Sequence, residues 1–280
     1  MPASLTTVRR FQASLFPVNA YLIETASGVI AVDATLGVSD GRALRTRADA
    51  TGKPLAGVLV THSHPDHYGA LGALVGDTNV PIVAMEGVDA TIRRDDAAKE
   101  QILRPMFGDE WAPTRTFPSR TTRDGERVTM GDLTVRGIDV GPGESPHDSW
   151  WIVEAAGPPM AFVGDLVYGH MHSYLADAFY QQWLANLERA KRELPADAVL
   201  HMGHGTPQRG LALVDWQADY IHRVLDELTL ARTKGLDGDA LASAVTARMR
   251  EFLPTDDLLF LLTLSVAPMR DALVSRGLTA

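Results

Sequence analysis

The 280-residue chain contains no cysteine. Disulfides, thiolate metal ligands and a cysteine nucleophile are thereby excluded, so any transition metal must rest on histidine and carboxylate. Long apolar runs are also missing. The longest, Leu258 to Val266, falls well short of the roughly 20 residues that cross a bilayer. Met1 to Phe16 holds Arg9 and Arg10 but no apolar stretch before a small-residue cleavage site, so it does not read as a secretory leader. A cytoplasmic protein with no membrane partner is the expectation. Basic charge is scarce too: 26 Lys and Arg stand against 35 Asp and Glu, a formal charge of −9. That balance disfavours a nucleic-acid partner, because a phosphate backbone recruits clustered Lys and Arg. No low-complexity tract or short-period repeat is visible.

What the chain does have is an ordinary globular composition, 45% hydrophobic and 22% charged, enough to bury a core. Branched and aromatic runs predict strands at Asn19 to Thr25 and Val29 to Asp33, then at Gly57 to Thr61 and Val80 to Ala84. Helices are predicted over Ser39 to Ala50 and Tyr68 to Val75. Residues 86–120 read as a less regular insertion around a charged helical stretch, Thr91 to Leu103. Strands return at Arg127 to Met130, Leu133 to Ile138, Trp150 to Glu154, Met160 to Val163 and Ala198 to Met202. One helix, Tyr180 to Leu194, interrupts them with an apolar face at 3–4 spacing. From about 211 the pattern is helical throughout, with Leu213, Trp216, Tyr220, Val224 and Leu228 on one stripe and further helices near 239–252 and 256–276. The expected organisation is a 1–210 catalytic domain and a 211–280 helical C-terminal extension. Strands with helices in each half suit two sheets covered on their outer faces.

The chemistry sits just past the predicted strand Gly57 to Thr61. His62-Ser63-His64-Pro65-Asp66-His67 puts four potential ligands within six residues, on a loop that a rigid sheet can aim into a cleft. Imidazole and carboxylate suit zinc, and also manganese, iron or nickel. A polar turn can carry one such histidine; three with an aspartate call for a ligand.

This run resembles the metallo-β-lactamase superfamily signature His-x-His-x-Asp-His. The resemblance covers about residues 8 to 206. His147, in Gly143-Glu144-Ser145-Pro146-His147-Asp148, is similar to the family's lone ligand after a Gly/Pro turn. Asp165 follows Ala161-Phe162-Val163-Gly164, like the bridging carboxylate, and His204 in Gly203-His204-Gly205 looks like the last ligand. Asn19 to Leu22 and Val32 to Thr35 look like the family's opening strands. The resemblance implies an α/β, four-layer αββα sandwich of two mixed sheets flanked by helices. It implies two divalent ions, zinc first with manganese or iron as alternatives. His62, His64 and His147 would hold one ion and Asp66, His67 and His204 the other, with Asp165 bridging. The diiron redox branch usually has Glu where this chain has His64, and the β-lactamases proper generally lack the bridging Asp, so the resemblance points to neither.

On that reading the chain is a metallo-hydrolase. A hydroxide shared by two cations attacks a small ester, lactone or thioester, with Asp66 both ligating and orienting it. The alternatives are a phosphodiesterase or nuclease on the same metals, which would want a basic groove, and a non-catalytic metal-binding protein. Asp33 is a candidate acceptor for a ligand histidine, with a turn role as the alternative. Phe107, Trp111 and Phe117 either line an apolar pocket or anchor the insertion. His170 and His172 either face the cleft or sit in a solvated loop; His201 supports His204 or is simply buried. His222 reads as surface, and Tyr68 as packing rather than a proton donor. The C-terminal helices either cover the cleft or form a homodimer interface, since the apolar Leu258 to Leu262 must be buried somewhere.

Overall fold

The computed structural model describes residues 6–153 and 158–275. One sheet runs in the order β1 (Thr7–Gln12), β2 (Asn19–Glu24), β3 (Val29–Val32), β4 (Leu55–Leu59), β5 (Ile82–Met85), β6 (Arg120–Thr122). Its first two junctions are antiparallel and the other three parallel. The parallel interior strands are buried on both faces, and such strands read in sequence as unbroken apolar runs rather than alternation. The second sheet is β7 (Arg127–Met130), β8 (Leu133–Gly141), β9 (Asp148–Val153), β10 (Met160–Tyr168), β11 (Val199–His204), β12 (Gln208–Arg209), again in sequence order. All its junctions are antiparallel except β10–β11.

The two sheets face each other. Trp150 and Trp151 show how: successive strand residues point to opposite faces, and both indoles are fully buried. Trp151 packs with the first sheet between the layers, and its Nε1 donates to Val60 O at 3.0 Å. Trp150 enters a second core, on the outer face, shared with the C-terminal helices. On the first sheet's side lie α1 (Val38–Asp49), α2 (Pro65–Tyr68), α3 (Leu71–Val75) and α4 (Glu86–Phe107). Against the second sheet lie α5 (Tyr180–Glu193) and α6 (Ala212–Thr233); α7 (Gly238–Phe252) packs on α6, and α8 (Leu259–Ser275) on α7. The expected αββα layering is observed, with a helical C-terminal region.

Residues 86–120 are more regular than expected. Helix α4 is 22 residues long; Pro105 falls in its last turn, and the helix ends at Gly108, whose φ of 55° suits glycine. The predicted helix Tyr68 to Val75 is two short pieces, α2 and α3. Three strands escaped the sequence reading: β1 and β6, which are short and largely exposed, and the two-residue β12. Glu154 and residue 276, expected to end a strand and a helix, lie outside the described residues. Among the described residues no helix is long and apolar enough to cross a membrane.

Candidate metal centre

Beyond β4 the chain turns sharply through Thr61 to His67. Asp33, at the end of β3, holds that turn: it accepts from Thr61 N (2.9 Å) and Thr61 Oγ1 (2.8 Å) and pairs with His67 Nδ1 at 2.8 Å. Asp33 and Thr35 take left-handed backbone conformations, with φ of 62° and 71°. For a β-branched residue such as Thr35 that conformation costs energy, and it persists where surrounding bonds impose it.

Three other elements bring single residues to the same point. Glu144 comes from the β8–β9 turn, Asp165 from within β10, and His204 from the end of β11. The β10–β11 register slips between Gly164 and Tyr168, and a break of this kind re-aims a side chain out of the ladder. Gly203 completes the fit. A Cβ there would lie 2.0 Å from Asp165 Oδ1 and 2.6 Å from His67 Cε1, so only glycine lets the cluster close.

The donors fall into overlapping groups: His62, His64 and Glu144; Asp66, His67 and His204; and His62, His67 and Asp165, each with ligand atoms within 4.8 Å of one another. His204 Nε2 lies 3.1 Å from Asp165 Oδ2 and 3.4 Å from Asp66 Oδ2; His67 Nε2 lies 3.5 Å from Asp165 Oδ1. His64 places Nδ1 2.8 Å from Glu144 Oε2.

These residues fit a bound cation. The Nε2 atoms of His62, His67 and His204 are buried without a hydrogen-bond partner, as is Asp165 Oδ1, and orphaned buried polar atoms demand an explanation. Each ring's other nitrogen is held: His67 Nδ1 by Asp33, His204 Nδ1 by Pro17 O at 2.6 Å, and His62 Nδ1 by Thr61 Oγ1 at 3.0 Å. An acceptor on Nδ1–H fixes the tautomer that turns a lone pair on Nε2 toward the centre. His64 reverses the arrangement, with Nε2 held by Asp177 at 2.8 Å and Nδ1 turned inward.

The electrostatics agree. Burial lifts the Glu144 carboxyl to about 8, against the pull of His64. Burial also penalises a charged His204, yet Asp165 and Asp66 outweigh it and raise that imidazole to about 10. Asp66, Asp165 and Glu144 share this buried space, and buried carboxyl groups call for a cation or a proton beside them.

His147 is not brought to this cluster. Its Nε2 pairs with Asp139 Oδ1 at 2.8 Å and its ring packs against Gly87 at the start of α4. Glu144 stands where that ligand was expected. The cause is the turn itself: the Asp148 carboxylate accepts from Glu144 N (2.7 Å) and Ser145 N (3.1 Å), which aims residue 144 inward and leaves residue 147 outside. The signal was Glu144's place directly after Gly143.

Tyr168 also escaped the sequence reading. Its hydroxyl lies 2.9 Å from Glu144 Oε1 and 3.0 Å from Asp165 Oδ2, and its ring stacks on His204 with centroids 4.9 Å apart. The other histidines lie elsewhere. His172 bonds Tyr220 and Thr255, His170 and His222 are exposed, and His201 is buried between Phe162 and Tyr21. Tyr68 is buried and donates to Asp96 at 3.2 Å.

A cavity of about 590 Å³ opens over the cluster. Its floor includes His64, Asp66, Glu144, Asp165 and His204, and its walls come from the loop after β1, from α4 and from α8. Of the three aromatics in residues 86–120, Phe107 lines it. Trp111 is fully buried, its Nε1 bonded to Glu100, and Phe117 packs under Arg93.

Residues 13–204 match the family profile described as the metallo-beta-lactamase superfamily. The chain belongs to that superfamily. It is similar to the hydroxyacylglutathione hydrolase of Erythrobacter litoralis, 24% identical over 72% of this chain and 70% of that protein. It is also similar to the linear primary-alkylsulfatase of a Pseudomonas species, 25% identical over 80% of this chain and 49% of that one. The chain spans about half the length of most of the curated relatives it matches. Among solved structures, a beta-lactamase domain protein from Burkholderia ambifaria superposes with a TM-score of 0.68, covering 99% of this chain and 91% of that one at 22% identity. That likeness shows the fold, which the superfamily shares.

Proposed function

We propose that this chain is a dinuclear metallo-hydrolase acting on an ester, lactone or thioester of a small molecule. The observation that carries the reading is the set of three buried imidazoles with Nδ1 tied and Nε2 partnerless, converging on Asp165. In this reading His62, His64 and Glu144 would hold one divalent ion and Asp66, His67 and His204 the other, with Asp165 available to both. Imidazole with three carboxylates suits zinc, and equally manganese or iron. Bound ions would activate water near neutral pH and polarise the oxygen of an acyl group.

The chain's own residues supply the rest. Asp33, Pro17 and Asp177 lock the imidazoles, so that little reorganisation is needed at the moment of reaction. The Asp66 side chain keeps 13% of its exposure and lines the cavity, so it is the carboxylate placed to accept a proton from a nucleophilic water. Phe16 and Phe107 line the approach with apolar surface.

Sulfate-ester hydrolysis is a second reading, favoured by the similarity to the alkylsulfatase over 80% of this chain. A nuclease would want a basic groove, and among the residues lining the cavity Lys99 is the single Lys or Arg.

Elemental analysis of protein purified without chelators tests the metal, and a panel of carboxylic esters, lactones, thioesters, phosphodiesters and sulfate esters tests the chemistry. Two ions per chain and turnover of an acyl substrate are expected, with Asp66→Ala cutting kcat by at least a hundredfold while the fold persists. Metal-loaded protein inert toward the whole panel overturns the proposal.

A further inference from the structure

The cavity differs in character from floor to rim. The floor is the donor cluster; above it stand Leu36, Leu103 and Phe107, and at the mouth lie Leu15, Ile102, Met106, Phe260 and Leu264. Those five are exposed by 37%, 62%, 67%, 51% and 61%. Among the described residues only eight large apolar side chains are exposed, the others being Leu230, Phe252 and Val274. Apolar side chains scattered singly over a surface need no explanation. Five of eight converging on one cavity from three separate segments do.

Charge narrows the occupant. Lys99, the single Lys or Arg of the lining, is spent on Ser63 O at 2.5 Å, and Asp95 and Asp177 share its side of the cavity. A conjugate bearing distal carboxylates, such as an acyl-glutathione, therefore meets Asp95 and Asp177 with Lys99 as the one cation of the lining, itself engaged with Ser63 O. An uncharged hydrocarbon meets apolar walls along its length, with the unbranched Met106 able to adapt to its shape.

We propose that the cavity holds an apolar acyl chain, so that the substrate is a medium- to long-chain ester or thioester whose carbonyl reaches the metal centre while its chain lies between α4 and α8. This rests on the hydrolase reading for its chemistry but on the cavity alone for the chain. Ile102, Met106, Phe260 and Leu264 are the specificity-determining residues.

The test uses the full, metal-loaded chain and p-nitrophenyl esters from acetate to dodecanoate. kcat/KM should rise about fourfold per methylene, equivalent to about 0.8 kcal/mol of burial, until the cavity is full. Ile102→Asp and Leu264→Asp, on exposed positions that the fold tolerates, should lower the decanoate-to-acetate ratio at least tenfold. A readout independent of turnover is octan-1-ol binding to the metal-free chain by calorimetry, expected to weaken about tenfold in the same variants. Acetate and decanoate esters cleaved alike, or no octanol binding, overturns the chain assignment and leaves the hydrolase standing. Octanol binding without turnover of any acyl ester overturns the hydrolase and supports the apolar site; chain-length dependence on alkyl sulfates instead keeps the site and changes the head group. Light scattering covers the remaining occupant: variants that turn a dimer into a monomer with the chain preference unchanged make this face an interface and overturn the proposal.

Discussion

The candidate metal centre is assembled by two kinds of segment. His62, His64, Asp66 and His67 arrive together on one turn after β4, fixed by the Asp33 carboxylate. Glu144, Asp165 and His204 arrive singly from the β8–β9 turn, the slipped stretch of β10 and the end of β11. The contiguous run is a local device: six residues of chain carry its four donors, and one carboxylate, Asp33, clasps the turn. The single donors depend on how the second sheet is registered against the first, and each carries its own backbone device: the Asp148 clasp for Glu144, the β10–β11 register break for Asp165, and Gly203 beside His204. Errors in either kind should therefore fail differently.

The largest effect is expected at the donor that sequence did not single out. Glu144→Ala should remove one of two bound ions, measured by elemental analysis, and cut ester turnover at least a hundredfold. His147→Ala should leave metal content at the wild-type value, because that ring pairs with Asp139 instead. The opposite ranking of the two variants would return the ligand role to His147.

Gly203 offers the next break. A methyl group there meets Asp165 and His67 at less than contact distance. Overpacking of this kind typically costs about 1–3 kcal/mol, and here it pushes two donors apart. Gly203→Ala should lose metal while keeping its circular dichroism and a cooperative, lowered melting transition. Full metal content in this variant would show that the cluster tolerates a looser packing than its contacts imply.

These pairs also show what was readable beforehand. The His62 to His67 run was legible because a strand followed by closely spaced donors is a local pattern. Asp165 and His204 were legible through the resemblance, from their order and placement after the four earlier donors. Glu144 was not, because residue type favoured His147 and only the backbone of the turn decides which of the two faces inward. The layered fold emerged from apolar periodicity, whereas β1 and β12 did not, being exposed edges with little apolar signal. The cavity was hidden as well. Ile102 and Met106 on α4, like Phe260 and Leu264 on α8, are spaced by four, which reads as an ordinary buried face. In the apolar segment Leu258 to Leu262, the end residues are in the core while Phe260 is half exposed over the cavity.

A smaller effect separates the anchoring of the contiguous run from its ligands. Asp33→Ala removes the partner of His67 Nδ1 and two acceptor contacts to Thr61 while leaving every proposed donor in place. Loss of such a supporting contact typically costs about 10–100-fold in metal affinity. Competition with a chelator should show a drop in that range. A drop large enough to empty the site would mean that Asp33 holds the turn itself rather than one ring.

The smallest effect at neutral pH contrasts two histidines of one strand. His204 ends β11 in the donor cluster; His201, three residues earlier, is buried between Phe162 and Tyr21 with neither nitrogen partnered. Burial alone lowers its pKa to about 4, against about 6.5 in an unfolded chain. The folded state therefore keeps His201 neutral while the unfolded state takes up a proton, so stability is undiminished above about pH 6.5 and falls as the pH drops toward 4. The loss reaches about 3 kcal/mol at the lower end, from 1.36 kcal/mol per unit. His201→Phe removes that proton uptake. Denaturant unfolding of metal-free wild type and variant should give a stability difference that is flat above pH 7 and shifts toward the variant by up to this amount on acidification. A difference that stays constant from pH 7 to pH 4 would mean that His201 takes up its proton alike in the folded and unfolded chain, so that its burial between Phe162 and Tyr21 does not hold it neutral.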